Sequence, residues 1–187
     1  MVHNHTSDKH PWFTEASKPK GEQREWYIWQ DKDPGYKGPW NQNVWHKRGG
    51  GLYYGIFSDR MPDLNYANPL VTREMLDITK WGLTDLKVDG YRLDAIRHLF
   101  EDGQLKESAP QTFDWLKQYF AATKDANKDA FNIGEVWASS EQASIYVGGM
   151  MDAVFEFDLA TAMVTAARDG VAKPMIDAQA KVLALYP

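Results

Sequence analysis

Arg92 and Asp94 stand two residues apart in the stretch "DGYRLDAIRH" (residues 89–98), and Glu135 follows in "GEVW" (residues 134–137), 41 positions after Asp94. An unpartnered charge inside a sheet costs roughly several kcal/mol, so such groups are held there by a partner or by a task. Side chains two apart on a strand share a face. Arg92 and Asp94 therefore point one way, Tyr91 and Leu93 the other, and the guanidinium can hold Asp94 ionised. The interval to Glu135 is about that of one strand, one helix and the next strand, which places both carboxylates at the same end of neighbouring strands. Glycosidic bond cleavage needs such a pair in unlike surroundings: one carboxylate ionised to attack or stabilise the sugar cation, one protonated to supply the leaving group. On this reading Asp94 is the nucleophile. Glu135, flanked by Ile133 and Trp137 and close to a like charge, stays protonated to act as general acid and then serves as base for water. The same spacing also fits a structural Arg and Asp ion pair at a barrel end beside a glutamate that caps a helix, and these residues alone leave both readings open.

The elements that would carry these groups alternate. In "NPLVTREMLDITKWG", Asn68 can cap a helix, Pro69 takes its first position, and Val71, Met75 and Ile78 share a face. A strand follows in "LKVDGYRLDA", then a helix in "SAPQTFDWLKQYFAATKDAN" with Phe113, Leu116 and Phe120 at helical spacing, then a short apolar strand in "AFNIGEVW". "SSEQASIYVGG" reads as a short helix, "DAVFEFDLA" as a third strand, and the Ala-rich remainder as helix broken near Pro174. Residues 1–5, "MVHNH", read as the end of an earlier strand, and residues 6–67 are aromatic and turn-rich, too long for a plain connection, so they form a small irregular subdomain. Such alternation implies right-handed crossovers and a parallel sheet, open or closed into a barrel. In either case sites lie at the carboxyl ends of the strands.

The 187 residues are 43% hydrophobic, which suits about one globular domain. The net charge of −5 is not concentrated in a tail, so a nucleic-acid partner is not expected; the one small basic cluster, "WHKRGGG" (Trp45 to Gly51), reads as a solvated loop. Cysteine is absent, which excludes disulfides and thiolate metal sites and leaves cytoplasm, periplasm and secretion equally open. No run of 18 apolar residues offers a membrane span, and the first residues lack the architecture of a signal peptide. Eight Trp, nine Tyr and eight Phe suggest either a large core or rings that stack on a flat ligand such as a sugar.

Four ordered motifs resolve the ambiguity at Asp94 and Glu135. "NHTSDKHPWF", "MPDLN", "DGYRLDAIRH" and "GEVW" resemble, in the right order, the short motifs of the α-amylase family of glycoside hydrolases. The resemblance covers essentially the whole chain. It implies an α/β fold: a partial TIM (β/α)8 barrel over residues 1–187, from about the end of strand 3 to strand 6 and its following helix, with the inserted subdomain (6–67) after strand 3. It implies that Asp94 is the catalytic nucleophile, Arg92 its supporting cation and Glu135 the general acid and base. It further implies that His5 hydrogen-bonds the sugar in the cleaved subsite, and that Arg97 and His98 line the acceptor side, with arginine where many members carry lysine. A calcium site would take Asn4, an aspartate of the insertion and the backbone carbonyl of His98, hard oxygen donors suited to that ion. Asp63 and Asn65 are read as structural parts of the subdomain closure, and His3, His10 and His46 as ordinary loop or strand residues.

The expected substrate is an α-glucan or malto-oligosaccharide. "MPDLN" resembles the group intermediate between oligo-1,6-glucosidases and neopullulanases, and the small Ala95 stands where α-1,6 specialists tend to carry valine; both favour α-1,4 cleavage. An exo-acting α-glucosidase, a transglycosylase and, from another class, a non-catalytic glucan-binding relative are the alternatives. A complete barrel of this kind takes eight strands and about 250 residues. The expectation is therefore a fragment, short of the aspartate that opens the first motif and of the seventh-strand His-Asp motif, of low stability and inactive by itself.

Overall fold

The computed structural model describes residues 1–101 and 107–186. A hairpin-bearing subdomain packs beside an open parallel sheet flanked by helices. The subdomain contains helix α1 (Pro11–Ala16), a 3-10 turn (Arg24–Trp26) and strands β1 (Trp29–Gln30), β2 (Trp45–Arg48) and β3 (Gly51–Tyr54), the strands forming an antiparallel sheet in the order β1-β3-β2. The segment expected to be irregular thus has a sheet at its centre, and "WHKRGGG" is a strand and turn rather than a solvated loop. The reason is local: Gly49 and Gly50, at φ 57° and 78°, supply the left-handed pair that a two-residue hairpin needs, with Arg48 opposite Gly51. Phe13, Tyr27, Tyr53 and Leu64 fill the space between this sheet and α1.

The barrel-like part runs α2 (Pro69–Thr84), β4 (Gly90–Leu93), α3 (Pro110–Ala126), β5 (Phe131–Gly134), α4 (Ser140–Ser144), β6 (Ala153–Val154), α5 (Phe157–Asp169) and α6 (Lys173–Leu185), with the parallel strands in the order β4-β5-β6. Asn68 caps α2 by accepting the Leu70 N–H at 3.0 Å, and Pro69 occupies the first turn, where its missing N–H costs nothing. Val71 and Met75 are buried on the face that meets α3, while Ile78 is only half-buried. On α3 the buried stripe is Thr112, Trp115, Leu116, Tyr119 and Thr123; of the expected trio only Leu116 is fully inside, and Phe113 and Phe120 sit at its margins. The third strand is shorter than expected because Phe157 already opens α5. The Ala-rich remainder is broken near Pro174, as expected: Gly170 ends α5 in a left-handed conformation at φ 68°, and Pro174 stands in the first turn of α6.

Residues 1–5 join this sheet through a parallel bridge from Val2 to Asp94 and reach the subdomain through an antiparallel bridge from His5 to Asp63. His3 is fully buried between Trp115 and Tyr119, with Nε2 hydrogen-bonded to Thr79 Oγ1 at 3.2 Å, so it is a core residue rather than an ordinary strand position. Burial pushes its imidazole down to about 3, so it stays neutral.

Strand β4 begins at Gly90, whose φ is 153° and whose hydrogen faces β5; a Cβ there would lie 1.9 Å from the carbonyl oxygen of Phe131, its partner in the ladder. Gly90→Ala is expected to cost about 3 kcal/mol from backbone strain and the displaced strand together. Denaturant unfolding of the full-length protein would read this, and a loss below about 0.5 kcal/mol, the scatter of ordinary surface changes, would contradict it.

Candidate active site

Residue types decide which face of the parallel sheet is wet. Leu93 is fully buried, and the Tyr91 hydroxyl donates to the Thr79 carbonyl oxygen on α2 at 2.7 Å, so these side chains face the helices. Arg92 and Asp94 project from the opposite face. The register pairs Arg92 with Ile133 and Leu93 with Gly134, and the Glu135 N–H continues the ladder by donating to the Leu93 carbonyl at 2.9 Å. Asp94 and Glu135 thus stand side by side, just past the carboxyl ends of β4 and β5.

Arg92 lies between them. One arm of its guanidinium hydrogen-bonds Asp94 Oδ1, and Nη2 lies 2.7 Å from Glu135 Oε2. Sequence reasoning paired the cation with Asp94 alone; the parallel register makes it a bridge, because it brings Glu135 onto the same face one step beyond Ile133. Glu135 Oε1 accepts the indole N–H of Trp137 at 3.0 Å. Ala95, the residue after Asp94, is held in the left-handed region at φ 49°, ψ 40°, and its N–H reaches Glu135 Oε2 at 3.4 Å. A non-glycine residue in that conformation carries strain that the surrounding structure must hold.

His5, Trp40, Phe57, Met61, Arg97, His98 and Trp137 line the same cleft as the two carboxylates, with a volume of about 620 Å³. His5 Nδ1 is 3.0 Å from Asn4 Oδ1, which orients the ring, and Phe57 packs against it edge-on with centroids 5.4 Å apart. Burial pushes the His5 imidazole down, and the charge of Asp94 opposes that. Arg97 borders the cleft, but its guanidinium is committed to the protein: Nε to Ser108 Oγ at 3.3 Å, Nη2 to Glu107 at 2.9 Å and Nη1 to the Trp137 carbonyl oxygen. It ties the loop after β4 to the loop after β5. The His98 ring contacts Trp40 and Phe57 edge-on, and its carbonyl oxygen accepts the Asn4 side-chain amide.

Asn4 is buried, and its carbonyl oxygen accepts the Leu64 N–H at 2.9 Å, which draws the "MPDLN" segment against it. Asp63 in that segment is also buried; its Oδ1 accepts the Ile56 N–H at 3.2 Å, while Oδ2 has no hydrogen-bond partner among the described residues. Burial, reinforced by the charge of Glu101, pushes the Asp63 carboxyl well above the usual range. Among the described residues no group of three or more His, Cys, Asp or Glu side chains gathers as a metal site. A cation here would rely on Asp63 together with amide and carbonyl oxygens, a donor set that suits a hard ion. The orphaned Asp63 oxygen fits that demand.

Sequence reasoning missed the Trp137 hydrogen bond and the part of Trp40. The first was legible, since Trp137 stands two positions after Glu135, where an extended chain returns to the same face. The second had no signal, because Trp40 arrives from the insertion, 54 positions before Asp94.

The family model for the α-amylase catalytic domain matches residues 1–185. The chain is 36% identical over 151 residues to α-amylase 3 of Dictyoglomus thermophilum, covering 80% of this chain and 28% of that protein. It is 38% identical over 120 residues to the oligo-1,6-glucosidase of Parageobacillus thermoglucosidasius, covering 60% and 22%. Among solved structures, the α-amylase from H. orenii superimposes with a TM-score of 0.84 at 34% identity, covering 98% of this chain and 37% of that one. The chain therefore belongs to the α-amylase family of glycoside hydrolases, and its sheet and helices are part of that family's (β/α)8 barrel. It spans about a quarter of the length of the curated relatives it matches.

Proposed function

We propose that the full-length protein is a retaining glycoside hydrolase that cleaves α-1,4 bonds in starch-like glucans, with Asp94 as nucleophile and Glu135 as general acid and base. The observation that carries this reading is the single guanidinium of Arg92 reaching both carboxylates at the ends of adjacent strands. One guanidinium holding both carboxylates is compatible with the spacing of about 5–5.5 Å used in double displacement, the course that the family resemblance implies. In the first step Asp94 attacks the anomeric carbon while Glu135 gives its proton to the departing glycosidic oxygen. In the second Glu135, now ionised, takes a proton from water as that water displaces Asp94. Arg92 places its positive charge beside Asp94 before attack and beside the carboxylate that Glu135 becomes afterwards. His5, on the subdomain side of the cleft, supplies a hydrogen bond to the sugar undergoing cleavage.

The test is to incubate the full-length enzyme with a long α-1,4-glucan blocked at its non-reducing end and to follow the anomeric configuration of the first products. Internal fragments of α-configuration support the proposal. Products released only from an unblocked end would indicate an exo-acting glucosidase, new linkages a transglycosylase, and binding without cleavage a non-catalytic relative.

The orphaned Asp63 oxygen also supports a calcium ion held by Asn4, Asp63 and the His98 carbonyl. When bound, the ion would neutralise the buried carboxylate and pin the subdomain to the loop after β4. At a concentration about 100-fold above its dissociation constant, calcium would add about 2.7 kcal/mol of stability. The thermal midpoint of the full-length protein is expected to rise with calcium and fall with chelator, and Asp63→Ala to lose that response. An identical midpoint in both conditions would remove the ion from the account.

A further inference from the structure

We propose that Trp40 is a stacking platform for a glucose unit beyond the cleaved bond, so that it selects for longer glucan chains. This rests on the glucan-hydrolase reading above. Trp40 is 57% exposed, a costly state for so large an apolar ring, yet it is not loose. Its ring packs on Phe57, tilted by 29° with centroids 5.8 Å apart, and the edge of His98 meets it at 5.6 Å. The loop behind it is built around one side chain. Gln42 accepts the Trp40 N–H at 2.9 Å and donates to the Ile56 carbonyl at 2.9 Å, while the Gly38 N–H returns to the Gln42 carbonyl at 3.0 Å. A Cβ at Gly38 would fall 2.3 Å from the Gln42 amide, so a larger residue there would push that side chain aside. The loop thus holds an aromatic face over the cleft that contains Asp94 and Glu135.

A pyranose presents a flat patch of C–H groups on one face and hydroxyls around its rim. An exposed, fixed indole takes the first and leaves the second to solvent, which is the chemistry such a ring favours in a polar cleft. The rings that Trp40 touches are Phe57 and His98, neither of them a reacting carboxylate, so a sugar stacked on it is a neighbour of the one undergoing cleavage.

The experiment measures kcat/KM of the full-length enzyme on maltoheptaose and on 4-nitrophenyl α-maltoside for wild type, Trp40→Ala and Trp40→Phe. Trp40→Ala is expected to lose about tenfold more on the heptasaccharide than on the short glycoside, the equivalent of one stacked ring, with most of the loss in KM. Trp40→Phe should recover most of it. Equal losses on both substrates would mean that Trp40 only supports the fold of the site, and no loss on either would mean that it touches no sugar; both overturn the platform while leaving the hydrolase reading intact. A wild-type enzyme that cleaves neither substrate would overturn the hydrolase reading and the platform with it.

Discussion

Asp94→Ala in the full-length enzyme is expected to lower turnover of α-1,4-glucans by about 10⁴-fold or more, the scale seen when a nucleophile acting in concert with its partner is removed. Glu135→Gln should match that loss on a glucan but not on every substrate. A glucosyl fluoride needs little protonation of its leaving group, so Glu135→Gln should retain much of the first step there, whereas Asp94→Ala should be as impaired as before. This contrast separates the two roles, which a simple loss of activity does not. Both variants should still bind glucan, since the cleft walls contributed by Trp40, Phe57, His98 and Trp137 are untouched. If the two variants lost activity in the same proportion on both substrates, the division into nucleophile and acid would be wrong even if both side chains proved essential.

The second large effect is expected at Arg92. Its guanidinium reaches Asp94 and Glu135 together, so its removal leaves both carboxyl groups without the cation that joins them. The negative charge that passes from Asp94 to Glu135 in the first step then has no positive group beside it. We expect kcat/KM near neutrality to fall about 10²- to 10³-fold, within the range of electrostatic contributions at preorganised sites. Arg92→Lys restores the charge but not the two-armed geometry, and its activity should lie between those of wild type and Arg92→Met. A kcat/KM for Arg92→Met equal to that of the wild type would show that this guanidinium does not serve the reacting carboxylates.

How much of this could be read from the residues differs from element to element. Asn68 and Pro69 mark the start of α2 because capping and a fixed φ act within one turn, where the chain's own chemistry decides the outcome. The facing of Arg92 and Asp94 away from Leu93 follows from the two-residue period of a strand. The hairpin at Gly49 and Gly50 was equally local; reading the basic residues before it as a solvated loop gave charge more weight than turn chemistry. The α3 stripe shows the opposite case. Its helical period was visible, but whether Phe113 or Trp115 goes inside depends on which side α2 and the strand end approach from, and no local rule contains that.

The candidate site divides in the same way. Sequence alone determined the family, the alternation of strands and helices, and the pair of carboxylates, because these rest on short motifs and on periods of a few residues. Tertiary structure decided that Arg92 spans both carboxylates, that Arg97 spends its charge on Ser108, Glu107 and the Trp137 carbonyl, and that Asp63 is buried against Asn4. It also brought Trp40 of the insertion to the cleft. Each of these depends on register or on the docking of distant segments, where the energy of one contact is set by neighbours that the chain reaches only after it has folded.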